Sequence, residues 1–517
     1  MPVTPTTLSP RHSGRRTRRA VLLVALAGGV GVALAACGGS TASTVSATGS
    51  ALASTSSAAP ASSVASTTSA SVSAATSASV SAGSTAASSA TVASVAAQPT
   101  KAPGSLLLLL EADDPQKVAW QQVVDAFHQA GHKPPVELSN PGDIYTKFNT
   151  MVAGNAGPDL FAGFETKQLP HYAGVGAALN MDPYMARSTS IKPANFFQYT
   201  WSKHILNGHL YAMPTNNAPL GIFYNKDLFQ EAGVPLPPKT WGAPGWDTAA
   251  FLDAAHKLTK TSNGKQQWFS NWSTWWVYVL PWVWGNGGHL FDATISKVLV
   301  DAPEVVASFQ WLADLTWKEH VQPTPAEAKA NAPAFEKGTL AIQGTTENSG
   351  VDYLKTAKSF SWDVTVMPTG TAGVWTRDPS NSAIAWSGTK QPDATWELAE
   401  YMGGDDGQLI IGLSGNGVPA RVSAARSPKF LNQTNGVDWK LFVDAIDHEG
   451  IQPITDNFPD IDTLIGKQTA PLWANQQTAQ TVMVALKPLL EQLLTQAKFK
   501  RDRTGSWQDK GWAATSN

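Results

Sequence analysis

Six tryptophans are packed between positions 268 and 284: Trp268, Trp272, Trp275, Trp276, Trp282 and Trp284. Indole faces stack on the apolar C–H faces of sugar rings, while nearby carboxylates and amides take hydroxyl hydrogen bonds. For any one of these residues core is the better reading, since cores bury large aromatic surface. The cluster as a whole precedes a Gly287-Gly288 turn, and Trp276, Trp282 and Trp284 are the expected ligand contacts. Trp375 and Trp386 are weaker candidates, and Arg421 and Glu347 are polar ones. Two further polar clusters, Glu111 to Asp114 and Phe164 to Thr166, close apolar runs; Asp113, Phe164 and Glu165 are the candidates there. No metal is expected, because the ten histidines are scattered without ligand spacing. No cofactor is expected either: the chain has no Gly-x-Ser-x-Gly, phosphate loop or dinucleotide fingerprint.

The only cysteine, Cys37, has no partner for an intrachain disulfide. Ahead of it lie Arg11, Arg15, Arg16, Arg18 and Arg19, then the uncharged run from Ala20 to Ala36. A basic region, a short apolar region and small residues at the exit make an export signal. Three glycines break the run, which is near the lower limit for spanning a bilayer. Leu34-Ala35-Ala36-Cys37 resembles the bacterial lipobox, so residues 1–36 are expected to be a cleaved signal peptide and the Cys37 thiol a lipid acceptor. Thr17 to Leu22 also resembles a twin-arginine motif, and an ordinary basic region fits the same residues as well.

With the signal removed, five of the 37 basic residues are lost, leaving 32 against 39 acids, a net charge of −7. That balance argues against a nucleic-acid partner. From Gly38 to Thr100 there is no charged and no aromatic residue. Such a tract cannot bury enough apolar surface to offset its ordering entropy. Residues 37–103 therefore read as a lipidated cysteine and a flexible tether, with a coil reach of about 45 Å. The remaining residues, from Gly104 onwards, exceed what one core usually supports, and two lobes are expected.

The elements that must carry the candidates follow from pattern. "SLLLLLEADD" (Ser105 to Asp114) is continuous apolar sequence, as in a strand buried on both faces. Asp114-Pro115 opens a helix, Ala119, Val123, Phe127 and Ala130 keep its spacing, and Gly131 stops it. "PVELS" (Pro135 to Ser139) is a second strand, Ile144, Phe148, Met151 and Val152 mark a second helix, and "PDLFAGF" (Pro158 to Phe164) is a third strand. Alternating strands and helices predict an α/β lobe with a parallel sheet, whose ligands sit beyond the carboxyl ends of the strands.

A family resemblance runs through these residues. "YTKFNTMVAGNAGPDLF" (Tyr145 to Phe161), "GHLYAMP" (Gly208 to Pro214) and "IFYNKDLFQEAGVPLPPKTW" (Ile222 to Trp241) resemble, in order, signatures of family 1 extracellular solute-binding proteins. Those are the maltodextrin-binding-like receptors of ABC importers. "WGNGGHLFD" (Trp284 to Asp292), "FEKGTLAIQG" (Phe335 to Gly344), "WDVTVMPTG" (Trp362 to Gly370), "ATWELAEYM" (Ala394 to Met402) and "NGVPAR" (Asn416 to Arg421) continue the match. The chain departs from the pattern at "GAPGW" (Gly242 to Trp246) and at "TTENSG" (Thr345 to Gly350), where many relatives carry a tryptophan.

The resemblance implies a two-lobe periplasmic-binding-protein-like fold of type II, α/β in class, with a hinge between the lobes. Carried across, the crossings fall near Asn217 to Gly221, Ala334 to Gly338 and Gln391 to Trp396. Residues 104–217 plus 338–390 then form the N-terminal lobe, and 221–334 plus 396–510 the C-terminal lobe. It further implies a monomeric, non-catalytic receptor at the outer face of the cytoplasmic membrane, holding a carbohydrate or other small solute for ABC importer permeases. The competing readings are an exported carbohydrate-active enzyme and a tethered glycan-binding adhesin. The enzyme would need two carboxylates about 5–5.5 or 6.5–9.5 Å apart.

Overall fold

The computed structural model describes residues 101–110, 114–165, 168–262, 265–450 and 452–501. The export signal, Cys37, the Ser/Thr/Ala tract and Asp113 lie outside the described residues. Strand β1 (Leu106–Leu110) is buried along its whole length. Leu106, Leu108 and Leu110 share a cluster with Trp120, Val123 and Phe127 of α1 (Asp114–Gln129), and Leu109 shares another with Ile144 and Phe148 of α2 (Ile144–Ala153). The leucine run is thus explained by two covered faces, and each buried leucine contributes roughly 1.5–3 kcal/mol. Asp143 caps α2 by accepting the Thr146 N–H at 3.1 Å. Strands β2 (Val136–Ser139) and β3 (Leu160–Glu165) flank β1 in parallel, as the alternating pattern predicts.

After α3 (Leu169–Gly174), the chain runs through β4 (Met213–Asn217) and crosses at Ala218-Pro219 into β5 (Leu220–Asn225), the first strand of a second sheet. This lobe adds α4 (Trp276–Gly285), α5 (Pro303–Trp317) and α6 (Pro325–Asn331). β6 (Ile342–Thr346) and β7 (Trp362–Thr365) then take the two edges of β5, both antiparallel, from Ile342 opposite Tyr224 to Thr346 opposite Leu220 on one side. β8 (Asn381–Ala385) returns to the first sheet between β3 and β4. Helices α7 (Pro392–Gly403) and α8 (Asp405–Leu413) pack there, and β9 (Val418–Pro419) closes that sheet against β4. Finally α9 (Trp439–Ala445), α10 (Phe458–Trp473) and α11 (Ala479–Leu494) build on the second core.

Two expected boundaries are corrected by these pairings. Residues 342–365 belong with β5 rather than the first lobe, and residues 392–413 with the first lobe rather than the second. The second crossing therefore falls within 366–380, and the third follows β9 and precedes α9. The reason is physical: a strand's sheet is chosen by its long-range partner, and β5, buried on both faces, offers two free edges.

The crossings are tied to each other. Leu220 N–H donates to Arg377 O at 3.0 Å, Thr376 Oγ1 to Leu220 O at 2.7 Å, and Ala218 N–H to Asp378 Oδ1 at 2.6 Å. Beneath them Lys203, wholly buried, ion-pairs with Asp378 at 3.1 Å and with Glu449, and donates to Ser380 Oγ at 2.6 Å. One ion triad thus joins a first-lobe residue, the crossing and the second lobe.

Candidate functional site

Helix α4 reads "WVYVLPWVWG", apolar on every side. A helix of that kind must be buried all round. Trp282 is 6% exposed, with rings of Trp272 and Phe251 each at 5.2 Å and Trp311 at 4.7 Å. Trp284 is 4% exposed and lies flat against Gly450, where a Cβ would have no room. Trp276 is also buried, and its Nε1 donates to Asp462 Oδ1 at 2.7 Å. The three expected ligand tryptophans are core residues of the second lobe, a correction to the sequence reading.

The half-buried rings at this end of α4 are Trp275 and Tyr278, three residues apart on one face. Trp275 Nε1 donates to the same Asp462 Oδ1 at 2.6 Å. The Arg377 guanidinium lies 4.8 Å from the Tyr278 ring and 5.6 Å from the Trp275 ring. Arg377 is 2% exposed, yet its Nε and Nη2 have no hydrogen-bond partner among the described residues. Since Arg377 belongs to the second crossing, this constellation stands at the junction of the lobes. A carboxylate, two aromatic faces and unused guanidinium donors can hold a polyhydroxylated or anionic solute. Sequence reasoning named Arg377 only as a basic residue and passed over Trp275, Tyr278 and Asp462. The 275/278 spacing was the available signal.

Other candidates fall elsewhere. Glu347 is 1% exposed beneath Gly417, whose φ of +109° brings its backbone against Asn216, Asn217 and the Glu347 carboxyl. It stands beside the first crossing. Arg421 pairs with Asp405 at 3.0 Å and lies over Phe196, a staple within the first lobe. Trp375 is half-buried and donates to Ala372 O at 3.3 Å within its own turn. Phe164 and Glu165 close β3, the strand end facing away from its amino terminus. The lobes also touch beyond the crossings: His171 Nδ1 is 3.2 Å from Asp456 O, and Asn207 Nδ2 donates to Lys498 O at 3.1 Å. Among the described residues no group of three or more His, Cys, Asp or Glu could hold a metal, and no helix is long and apolar enough to cross a membrane.

Burial raises the Glu347 carboxyl well above the ordinary glutamate value, with the Asp378 charge adding to the effect. The folded chain keeps a proton that the unfolded chain gives up. The stability this group contributes is present below the ordinary glutamate value and is lost as pH rises towards the raised folded value. Glu347→Gln is therefore expected to stabilise the protein, by a margin that grows as pH rises from about 4 to 8. Thermal melts across that range check it; a variant no more stable than wild type at the upper end would mean the folded carboxyl is ionised.

Two α/β lobes joined by hinge crossings, with an aromatic and charged constellation at the junction, define the class of two-lobe binding proteins. The chain belongs to the bacterial extracellular solute-binding protein family, whose pattern matches residues 113–409, more than half of its length. It is similar to the sn-glycerol-3-phosphate-binding periplasmic protein UgpB of Yersinia enterocolitica, 33% identical over 165 residues. That match covers 31% of this chain and 36% of the relative, so the chain spans about a third of the length of the curated relatives it matches. Among solved structures it resembles the ABC substrate-binding protein Lmo0181 of Listeria monocytogenes, in complex with cycloalternan: TM-score 0.67, 19% identity, 76% of this chain and 98% of that one. The GacH receptor of Streptomyces glaucescens, solved unliganded and with acarbose, gives TM-score 0.63, 20% identity, 76% and 99%. These likenesses establish the two-lobe fold.

Proposed function

We propose that the protein is an exported, lipid-anchored receptor that captures a sugar, an oligosaccharide in particular, between its lobes and delivers it to an ABC importer. The observation that carries this reading is the Trp275, Tyr278, Asp462 and Arg377 constellation at the lobe junction. The glycan-binding titles of the structural neighbours support the sugar, and family membership supports delivery. Solute contacts made only with the lobes closed would drive the hinge motion. A phosphorylated polyol is the second reading, favoured by the unused Arg377 donors and by the names of the curated relatives.

Calorimetry with maltotriose, mannotriose and sn-glycerol 3-phosphate decides between them. Trp275→Ala should cost the bound solute about thirtyfold in affinity, roughly 2 kcal/mol, with little change in melting. If only the glycerol phosphate binds, the sugar reading fails; if Trp275→Ala binds as tightly as wild type, the site is elsewhere. Release of reducing ends during the same incubations would identify an enzyme instead. Cells lacking the protein should stop accumulating radiolabelled solute, whereas unchanged uptake would leave a tethered adhesin. Lipid anchoring at Cys37 rests on the lipobox resemblance, and Cys37→Ala should abolish incorporation of radiolabelled fatty acid. Retention of label on that variant would refute the anchor.

A further inference from the structure

We propose that the second lobe carries a second binding site for one neutral sugar ring, in a pocket that begins beside the interlobe constellation and extends away from it. The site is a pocket of about 350 Å3 between the segment before α4, the carboxyl end of α5, the start of α6 and the carboxyl end of α10. Trp272, Trp317, Trp473, Ser273, Thr316 and Gln322 line it. Its near wall, Trp272 to Thr274, adjoins Trp275, and its far wall lies away from the junction: Trp473 is eleven residues beyond Asp462 on α10, about 16 Å along the helix at 1.5 Å per residue.

Two polar groups make it a built site. Gln322 is 4% exposed, and its Oε1 accepts the Trp272 backbone N–H at 2.6 Å. An acceptor held by a backbone donor fixes which end of the amide is oxygen. The Gln322 NH2 is therefore turned away from that bond, and it makes no hydrogen bond to the described residues. The Trp473 indole Nε1 is buried with no partner among the described residues, while Trp317 Nε1 is already committed to Trp473 O at 3.1 Å. Buried polar groups in native folds ordinarily find partners, so the Trp473 indole calls for one from outside the chain, and the Gln322 NH2 can add a second bond.

The chemistry of the guest follows. It must accept hydrogen bonds from an amide and an indole, which an apolar guest cannot do. It must be uncharged, because no lining residue carries a charge to meet it. It must offer an apolar face to tryptophan rings. A pyranose meets all three conditions, with ring oxygens and hydroxyls around its edge and C–H groups on its faces. The volume lies at the small end of ligand pockets, which suits one ring better than a chain of them. The site does not require the cleft solute to be a sugar.

The test titrates the 15N-labelled mature chain with methyl α-D-glucopyranoside and methyl β-D-glucopyranoside. Indole N–H signals of Trp473, Trp317 and Trp275 are assigned by single Trp→Phe variants. Saturable shifts of Trp473 and Trp317 are expected, on a curve that Trp275 does not follow. Ala328→Trp fills the pocket from half-buried α6 and should remove those shifts while leaving cleft affinity unchanged. Trp473→Phe keeps an aromatic ring and removes the unpartnered indole donor, and should weaken glucoside binding, read at Trp317, about tenfold or more with melting retained. Shifts that stay linear with concentration, or that survive Ala328→Trp, overturn the proposal. Saturable shifts at Trp275 alone would overturn it while sustaining the cleft reading.

Discussion

Lys203→Met is expected to lower the unfolding free energy by about 3–5 kcal/mol, because truncating one partner leaves buried carboxylates uncompensated. Lys203 is wholly buried and is the cation between Asp378 and Glu449. It also donates to Asp378 O at 3.0 Å and to Ser380 Oγ at 2.6 Å, so four acceptors lose their partner together. Methionine fills much of the same volume, which separates the charge effect from a packing defect. Because the triad links both lobes and the crossing, the loss should also loosen the hinge. Urea denaturation and thermal melting read the first effect, and small-angle scattering of the free protein reads the second. Adding Glu449→Gln to Lys203→Met should restore part of the stability by removing one orphaned charge. A melting temperature within about 2 °C of wild type would mean the carboxylates are solvated or protonated where the fold places them.

The first lobe's α/β grammar was legible in local sequence. The leucine run, the Asp114-Pro115 start and the helical spacing of Val123 and Phe127 each point to one element, and the parallel β2-β1-β3 core follows. Sheet membership of β6 was not legible, because five residues with strand character do not say which edge they will join. The second and third crossings were misplaced for that reason. The tryptophan cluster fails differently. Indoles at 275, 276, 282 and 284 look alike in sequence, and only the all-round apolarity of α4 separates them. Trp282 and Trp284 are covered by α5 and by Gly450, whereas Trp275 sits at the helix cap with Asp462 as its partner. Arg421 illustrates the same limit: its partner Asp405 is sixteen positions upstream, and only the packing of α8 brings the two to 3.0 Å.

Trp282→Ala is expected to destabilise the protein by about 3–5 kcal/mol while leaving solute affinity nearly unchanged, the reverse of Trp275→Ala. The indole is enclosed by Trp272, Phe251 and Trp311, three large rings that cannot collapse together without leaving their rotamers. Removing it forfeits both the transfer free energy of the ring and the contacts of the cavity walls. Trp284→Ala should behave likewise, because its ring covers Gly450, a residue hydrogen-bonded through its N–H to Thr376 O in the crossing. The two classes of variant separate on paired measurements of melting and calorimetric affinity. If Trp282→Ala melts like wild type but binds the solute poorly, the α4 tryptophans line the cleft after all. The junction constellation at Trp275 would then lose its claim to be the floor of the site.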